Sequence, residues 1–277
     1  MPDNAAITLE VDGNVGIITL NLPNKLNALT QPLYYRLGSL LREADSRPDT
    51  LVTIIIGTGR FFSAGADLQA GAVTAMSSIE DSAGDSRRSW IPALVNNTVD
   101  VPSAFFSHSK VLVCALNGPV IGLSAALVAH ADFIYTVPEA YLLTPFGSLG
   151  LVSEGGASTA FVRRMGWGLA NEALLKGRKI SADELKAAGF VNTIYSGKEG
   201  NTGTFRNRVL KDVKDSFGPH LVPSSVLETK RIMRRSLIRE QEGQALDELF
   251  TGVKRFAEGI PQSEMKKILN GEKKHKL

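Results

Sequence analysis

A mixed α/β fold is predicted by three features of the 277-residue chain. An Asp-Gly pair separates two β-type runs at the start, apolar β-rich runs alternate with amphipathic helical stripes through the first two thirds, and helical periodicity alone follows Thr204. Ile7 to Val11 and Val15 to Leu20, joined by Asp12-Gly13-Asn14, form a β-hairpin, because the Asp-Gly pair tolerates the positive φ of a tight turn. Thr30 is placed to cap a helix whose Leu33, Leu37, Leu40 and Leu41 lie on one stripe. Arg47-Pro48-Asp49 ends that helix before the strand Leu51 to Ile56, and a loop of small residues runs from Thr58 to Ala66. Residues 70–90, rich in Ala, Ser, Gly, Asp and Arg, lack a regular period and are expected to form a mobile excursion, followed by a helix ending near Ser107.

Val111 to Leu116 has the unbroken apolar character of a strand buried on both faces. Asn117-Gly118-Pro119 turns it into a small-residue helix, Ile121 to His130. Strands are expected at Phe133 to Thr136 and Tyr141 to Leu143, and helices at Ala157 to Met165, Leu169 to Leu175 and Ala182 to Ala188. The remainder is helical to Leu269, which divides the chain into a core over 1–203 and a helical region over 204–277.

Composition excludes several classes. With 43% apolar and 21% charged residues the chain has enough apolar surface for a sizeable core, and no apolar run approaches the eighteen residues of a membrane span. Met1 to Gly13 has neither a basic region nor an apolar stretch of signal type, which predicts folding in the cytosol. Cys114 is alone in an apolar run and the four His are scattered, so neither a disulfide nor a metal site is expected. The net charge of +3 includes +4 from the five Lys and one Glu of Lys266 to Leu277, and the rest of the chain, at −1, offers no nucleic-acid footprint.

Familiar motifs fail on single residues. Gly57-Thr58-Gly59 follows a strand, but the third glycine of a dinucleotide fingerprint is replaced by Phe62. Gly122-Leu123-Ser124-Ala125-Ala126 lacks the last glycine of a nucleophile elbow, and His108, His130, His220 and His275 have no triad partner. Two other segments share one logic: Phe61 to Leu68, with Ala64-Gly65-Ala66-Asp67, and Asn117 to Ala126. Tiny side chains let a ligand approach the backbone, and the first N–H groups of a helix lack internal acceptors, so each segment can present a donor to an oxygen. Each alone is better explained by tight packing, with Asp67 as a helix cap.

Together the two segments resemble the crotonase superfamily, the enoyl-CoA hydratase/isomerase family, over about Ile7 to Ile194. The resemblance implies a crotonase-like spiral of ββα units, a C-terminal helical region that makes trimers or dimers of trimers, and an acyl-CoA thioester substrate whose CoA leaves no need for a separate cofactor. It places the two oxyanion-hole N–H groups at Ala66 and Leu123. Ala64, Gly65, Asp67 and Leu68 fall in the loop that touches CoA, and Lys25 and Leu26 in a segment near the nucleotide. Lys254 or Lys267 is suited to the CoA phosphates, and Phe256 to the acyl pocket or the core.

Hydratases of the family use two glutamates to manage the protons of water. The matching positions here are Ala126 and Phe146, which disfavours hydration. Glu154, in Ser153-Glu154-Gly155-Gly156, remains as the acid/base, although a carboxylate ahead of a helix is also favoured by the helix dipole alone. With Gly122-Leu123-Ser124 it resembles peroxisomal 3-enoyl-CoA to trans-2-enoyl-CoA isomerases of fatty-acid β-oxidation, which implies that one glutamate moves a proton through a dienolate. Rivals are a dienoyl-CoA isomerase, marked by a second carboxylate facing Glu154, and a non-catalytic acyl-CoA-binding protein. The terminal His275-Lys276-Leu277 resembles a peroxisomal address, implying an import receptor as partner and the peroxisome matrix as destination.

Overall fold

The Gly13-Asn14 turn folds β1 (Ile7–Asp12) back on β2 (Val15–Leu20) as antiparallel partners, with Asp12 opposite Val15. The computed structural model describes residues 3–67, 86–195 and 202–273. Leu68 and the tail His275, Lys276 and Leu277 therefore lie outside the described residues, as does most of the expected excursion.

From β2 the sheet continues in parallel through β3 (Val52–Gly57), β4 (Val111–Leu116), β6 (Phe133–Thr136) and β9 (Thr193–Ile194), in the order β1-β2-β3-β4-β6-β9. Every residue of β3 and β4 is buried, because the sheet is covered on both faces. Ile18, Ile55, Leu112, Cys114 and Leu116 face Leu33, Tyr34, Leu37 and Leu41 of α2 (Gln31–Ser46); a short helix, α1 (Asp3–Ala6), precedes the hairpin. The alternate residues Ile17, Ile54, Ile56, Val111 and Val113 face Phe205, Val209, Val213 and Phe217. That second layer is one of the later helices.

Three more short strands, β5 (Val120–Ile121), β7 (Tyr141–Leu143) and β8 (Ile180–Ser181), make a second sheet in the order β5-β7-β8. The helices between are α3 (Ser86–Val95), α4 (Val101–Phe106), α5 (Gly122–Val128), α6 (Ala157–Leu174) and α7 (Ala182–Ala187). α6 joins the two helices expected at 157–175 across a kink at Gly166, and α7 opens on a reciprocal Ser181–Glu184 capping box. The C-terminal helices are α8 (Thr202–Ser216), which forms the outer layer just described, the 35-residue α9 (Pro223–Ala257) and α10 (Ile260–Leu269). α9 is tied to the sheet by Asp132, which accepts from Lys230 Nζ and Arg234 Nη2 at 2.6 Å each.

The structure corrects three local expectations and, for Phe256, shows the apolar packing that one of its two expected roles calls for. Residues 86–90 are the first turns of α3 and not an irregular excursion, because Trp90 is buried against Phe256 at a centroid separation of 4.5 Å. α5 begins at Gly122, since Ile121 is extended and pairs with Leu143, and it ends at Val128. Thr30 stands at the cap position of α2 without a side-chain capping bond. Phe256 packs with Trp90, Leu249, Val253 and Met265 in a third apolar cluster.

Candidate active site

The loop after β3 is held by two side-chain amides. Asn117 Oδ1 accepts the Gly57 N–H at 2.9 Å while its Nδ2 donates to the Gly59 carbonyl at 2.8 Å. Asn27 Nδ2 donates to the carbonyls of Thr58 and Phe61 at 2.9 and 2.8 Å. The loop then runs parallel to the segment after β4: the Ile121 N–H donates to the Ser63 carbonyl at 2.9 Å, with Ser63 registered against Val120. Ala66 and Leu123 lie equally far beyond that bridge. The backbones touch just before them, where a Cβ on Gly65 would fall 2.8 Å from the Ile121 carbonyl oxygen.

Ala66 pairs with Leu29 through its neighbours: the Leu29 N–H donates to the Gly65 carbonyl at 2.8 Å and the Asp67 N–H to the Leu29 carbonyl at 3.0 Å. In such a parallel bridge the N–H of Ala66 itself points away from the ladder. Leu123 is in the first turn of α5, whose N–H groups have no intrahelical acceptor. Among the described residues, neither amide has a backbone partner, one on the loop after β3 and the other at the start of α5.

Glu154 sits on the loop between β7 and α6, and that loop is pressed on α5. A Cβ on Gly155 would lie 2.8 Å from Leu123 Cδ1 and 2.9 Å from Ala126 Cβ. Buried His130 bonds the Gly155 carbonyl through Nε2 at 2.8 Å, so Nε2 carries the proton; burial lowers its pKa to about 4, leaving the ring neutral. Glu248 of α9 is buried and caps α6, accepting from Gly156 N–H (2.7 Å), Ser158 N–H (3.2 Å), Ser158 Oγ (2.6 Å) and Ser153 Oγ (3.2 Å). The helix-dipole explanation thus gives Glu154 a task that Glu248 performs. The Glu154 carbonyl accepts the Ala157 N–H at 3.3 Å, but its half-buried carboxylate has no hydrogen bond or ion pair among the described residues, and burial, then the Glu248 carboxylate, push its pKa up to about 7.

Other sequence-predicted residues are dispersed or paired. Lys25 Nζ bonds Asp67 Oδ2 at 3.1 Å, so two of the residues assigned to CoA bind each other. The Ala64 N–H is committed to the Leu26 carbonyl at 2.9 Å. Lys267 pairs with Glu264 at 2.6 Å, and Lys254 is exposed. Sequence reasoning missed Glu248, the structural task of His130, and three hydroxyls, Tyr34, Ser63 and Ser124, buried behind the two amides.

The family model for enoyl-CoA hydratase/isomerase matches residues 10–209, and the chain belongs to that family and has its crotonase fold. It is 46% identical over 275 residues to a Delta(3,5)-Delta(2,4)-dienoyl-CoA isomerase of Pyricularia oryzae, covering 98% of each chain. It is 34% identical to the 3,2-trans-enoyl-CoA isomerase of Saccharomyces cerevisiae, covering 99% of this chain and 98% of that one. In fold it is similar to the crystal structure of an enoyl-CoA hydratase/isomerase from Pseudoalteromonas atlantica T6c, with a TM-score of 0.81 at 23% identity, over 98% of this chain and all of that one.

Proposed function

We propose that this chain is an enoyl-CoA isomerase that moves the double bond of a 3-enoyl-CoA to the trans-2 position. The observation that carries the reading is Glu154: a carboxylate without a partner among the described residues, with a pKa near 7, on a loop packed against Leu123. C2 of the substrate lies between thioester and alkene, so its hydrogens are acidic. Glu154 takes one, the negative charge spreads to the thioester oxygen as a dienolate, and the same carboxyl returns the proton to C4. The N–H groups of Ala66 and Leu123 hold that oxygen, and one such donor is typically worth roughly 10²–10³ in rate. CoA enters as part of the substrate and no separate cofactor is invoked. Ala126 and Phe146 supply no second proton carrier for hydration.

A dienoyl-CoA substrate is the second reading, favoured by the 46% identity to the Pyricularia oryzae enzyme of that name. It requires the proton to be delivered at C6, beyond the reach of C4. Glu248, the one carboxylate among the described residues whose charge acts on Glu154, is turned to the amides of α6, which favours the single-base reaction. Incubation with 3-hexenoyl-CoA and with a 3,5-dienoyl-CoA separates the two. Conjugated-enoyl absorbance growing faster from the first supports our reading, and direct formation of a hydroxyacyl product, or turnover of the dienoyl substrate alone, contradicts it.

The same reading includes a homotrimer or dimer of trimers, supported by the exposed Ile232, Met233, Leu246 and Phe250 of α9 and Trp167 of α6. A role in peroxisomal β-oxidation is part of the proposal, resting on His275, Lys276 and Leu277; a fluorescent fusion that stays diffuse in the cytosol opposes it.

A further inference from the structure

Three hydroxyl groups lie in the apolar core behind the two amides: Tyr34 of α2, Ser124 of α5 and Ser63 of the loop after β3, all buried. Ser63 Oγ bonds the Asn27 carbonyl at 2.8 Å, Ser124 Oγ lies 2.8 Å from Ser63 Oγ, and Tyr34 Oη lies 3.1 Å from Ser124 Oγ. A carbonyl only accepts, so Ser63 spends its one proton on Asn27. Ser124 must then donate to Ser63, and Tyr34 to Ser124. The Gly65 N–H completes the arrangement by donating to Ser63 Oγ at 3.1 Å.

Every proton in this chain has one place to go, and its central bond joins the loop that bears Ala66 to the first turn of α5, which bears Leu123. Ser124 follows Leu123 directly. Ser63 holds the N–H of Gly65, the residue before Ala66. Alanine and phenylalanine would fill nearly the same space without the cost of burying hydroxyls, so packing does not call for them.

We propose that Tyr34, Ser124 and Ser63 are positioning residues whose one-way hydrogen-bond chain sets the spacing of the Ala66 and Leu123 amides around the thioester oxygen. This inference rests on the isomerase reading above. A donor spacing that fits the dienolate better than the ground-state thioester affects turnover more than binding.

The test is steady-state kinetics with 3-hexenoyl-CoA on Ser124→Ala, Tyr34→Phe and the double variant, beside melting curves and a Glu154→Gln control. Ser124→Ala is expected to lower kcat about 10-fold and Tyr34→Phe about 3-fold, with KM within about twofold in both. The double variant should be no slower than Ser124→Ala, because one broken link already frees the chain. Unchanged kcat in folded Ser124→Ala, whatever its melting temperature, overturns the proposal, as do losses that multiply in the double variant. If Ser124→Ala does not fold, Tyr34→Phe, which keeps the ring, decides alone: a kcat loss with steady KM supports the chain and an unchanged kcat overturns it. Full activity of Glu154→Gln would remove the base assignment instead, a result distinct from any of these.

Discussion

Glu248 accepts the Gly156 N–H at 2.7 Å, and this bond separates the roles of two neighbouring carboxylates. The acid contributed by α9 is surrounded by donors at the start of α6. The acid on the loop, Glu154, is left with burial and a nearby negative charge, both of which favour its protonated form.

With Glu154 as the base proposed above, Glu248→Gln is expected to shift its titration. Removing the charge lowers the pKa of Glu154 from about 7, so the acidic limb of kcat/KM against pH moves to lower pH. The Gln amide also meets donors with its own N–H groups, and stability falls by about 1–3 kcal/mol. A pH–rate profile superimposable on that of the unaltered enzyme would show that Glu248 exerts no field on the base.

Glu154 itself costs stability when charged. Its pKa rises from an ordinary 4.5 to about 7 on folding, so its favourable contribution is complete below pH 4.5 and is lost as pH rises through 7. Glu154→Gln is expected to raise stability at pH 8 by on the order of 2 kcal/mol, and by much less at pH 5. Melting curves at the two pH values check this; an equal change at both contradicts the burial of the carboxylate.

Asp132 behaves in the opposite sense. Burial opposes its charge, yet Lys230 and Arg234 hold its carboxyl below the usual carboxylate range. A lowered pKa contributes stability above the ordinary carboxylate pKa, and this is lost as pH falls further through the folded value. Asp132→Asn leaves two largely buried cations without their partner and should cost about 3–5 kcal/mol by denaturant titration. A loss below about 1 kcal/mol would mean that α9 is anchored by its apolar contacts alone.

The parts legible in the sequence are those set by local pattern. Leu51–Ile56 and Val111–Leu116 stand out as strands because a doubly covered parallel sheet leaves no polar face, and both donor loops stand out by their tiny residues. Tyr34 belongs to the helical stripe of Leu37 and Leu41, which predicts its burial, while adjacent Tyr35 is exposed. The partner of its hydroxyl is 90 positions away, a distance no periodicity spans. Glu248 is hidden for the same reason: Asp247 precedes it on a helix whose apolar and polar residues are poorly segregated, and its contact with Gly156 is 92 positions distant. Trp90 was obscured by the composition around it, since its helix is fixed by packing on α9 more than by its own periodicity.

Turnover of 3-hexenoyl-CoA by Glu154→Gln, with thioester binding measured on the same sample, decides whether Glu154 carries the proton. Gln keeps the size of the side chain and removes its basicity, so binding should persist while kcat falls by roughly 10²–10⁴ or more. Isomerisation within tenfold of the unaltered enzyme would mean that another group carries the proton.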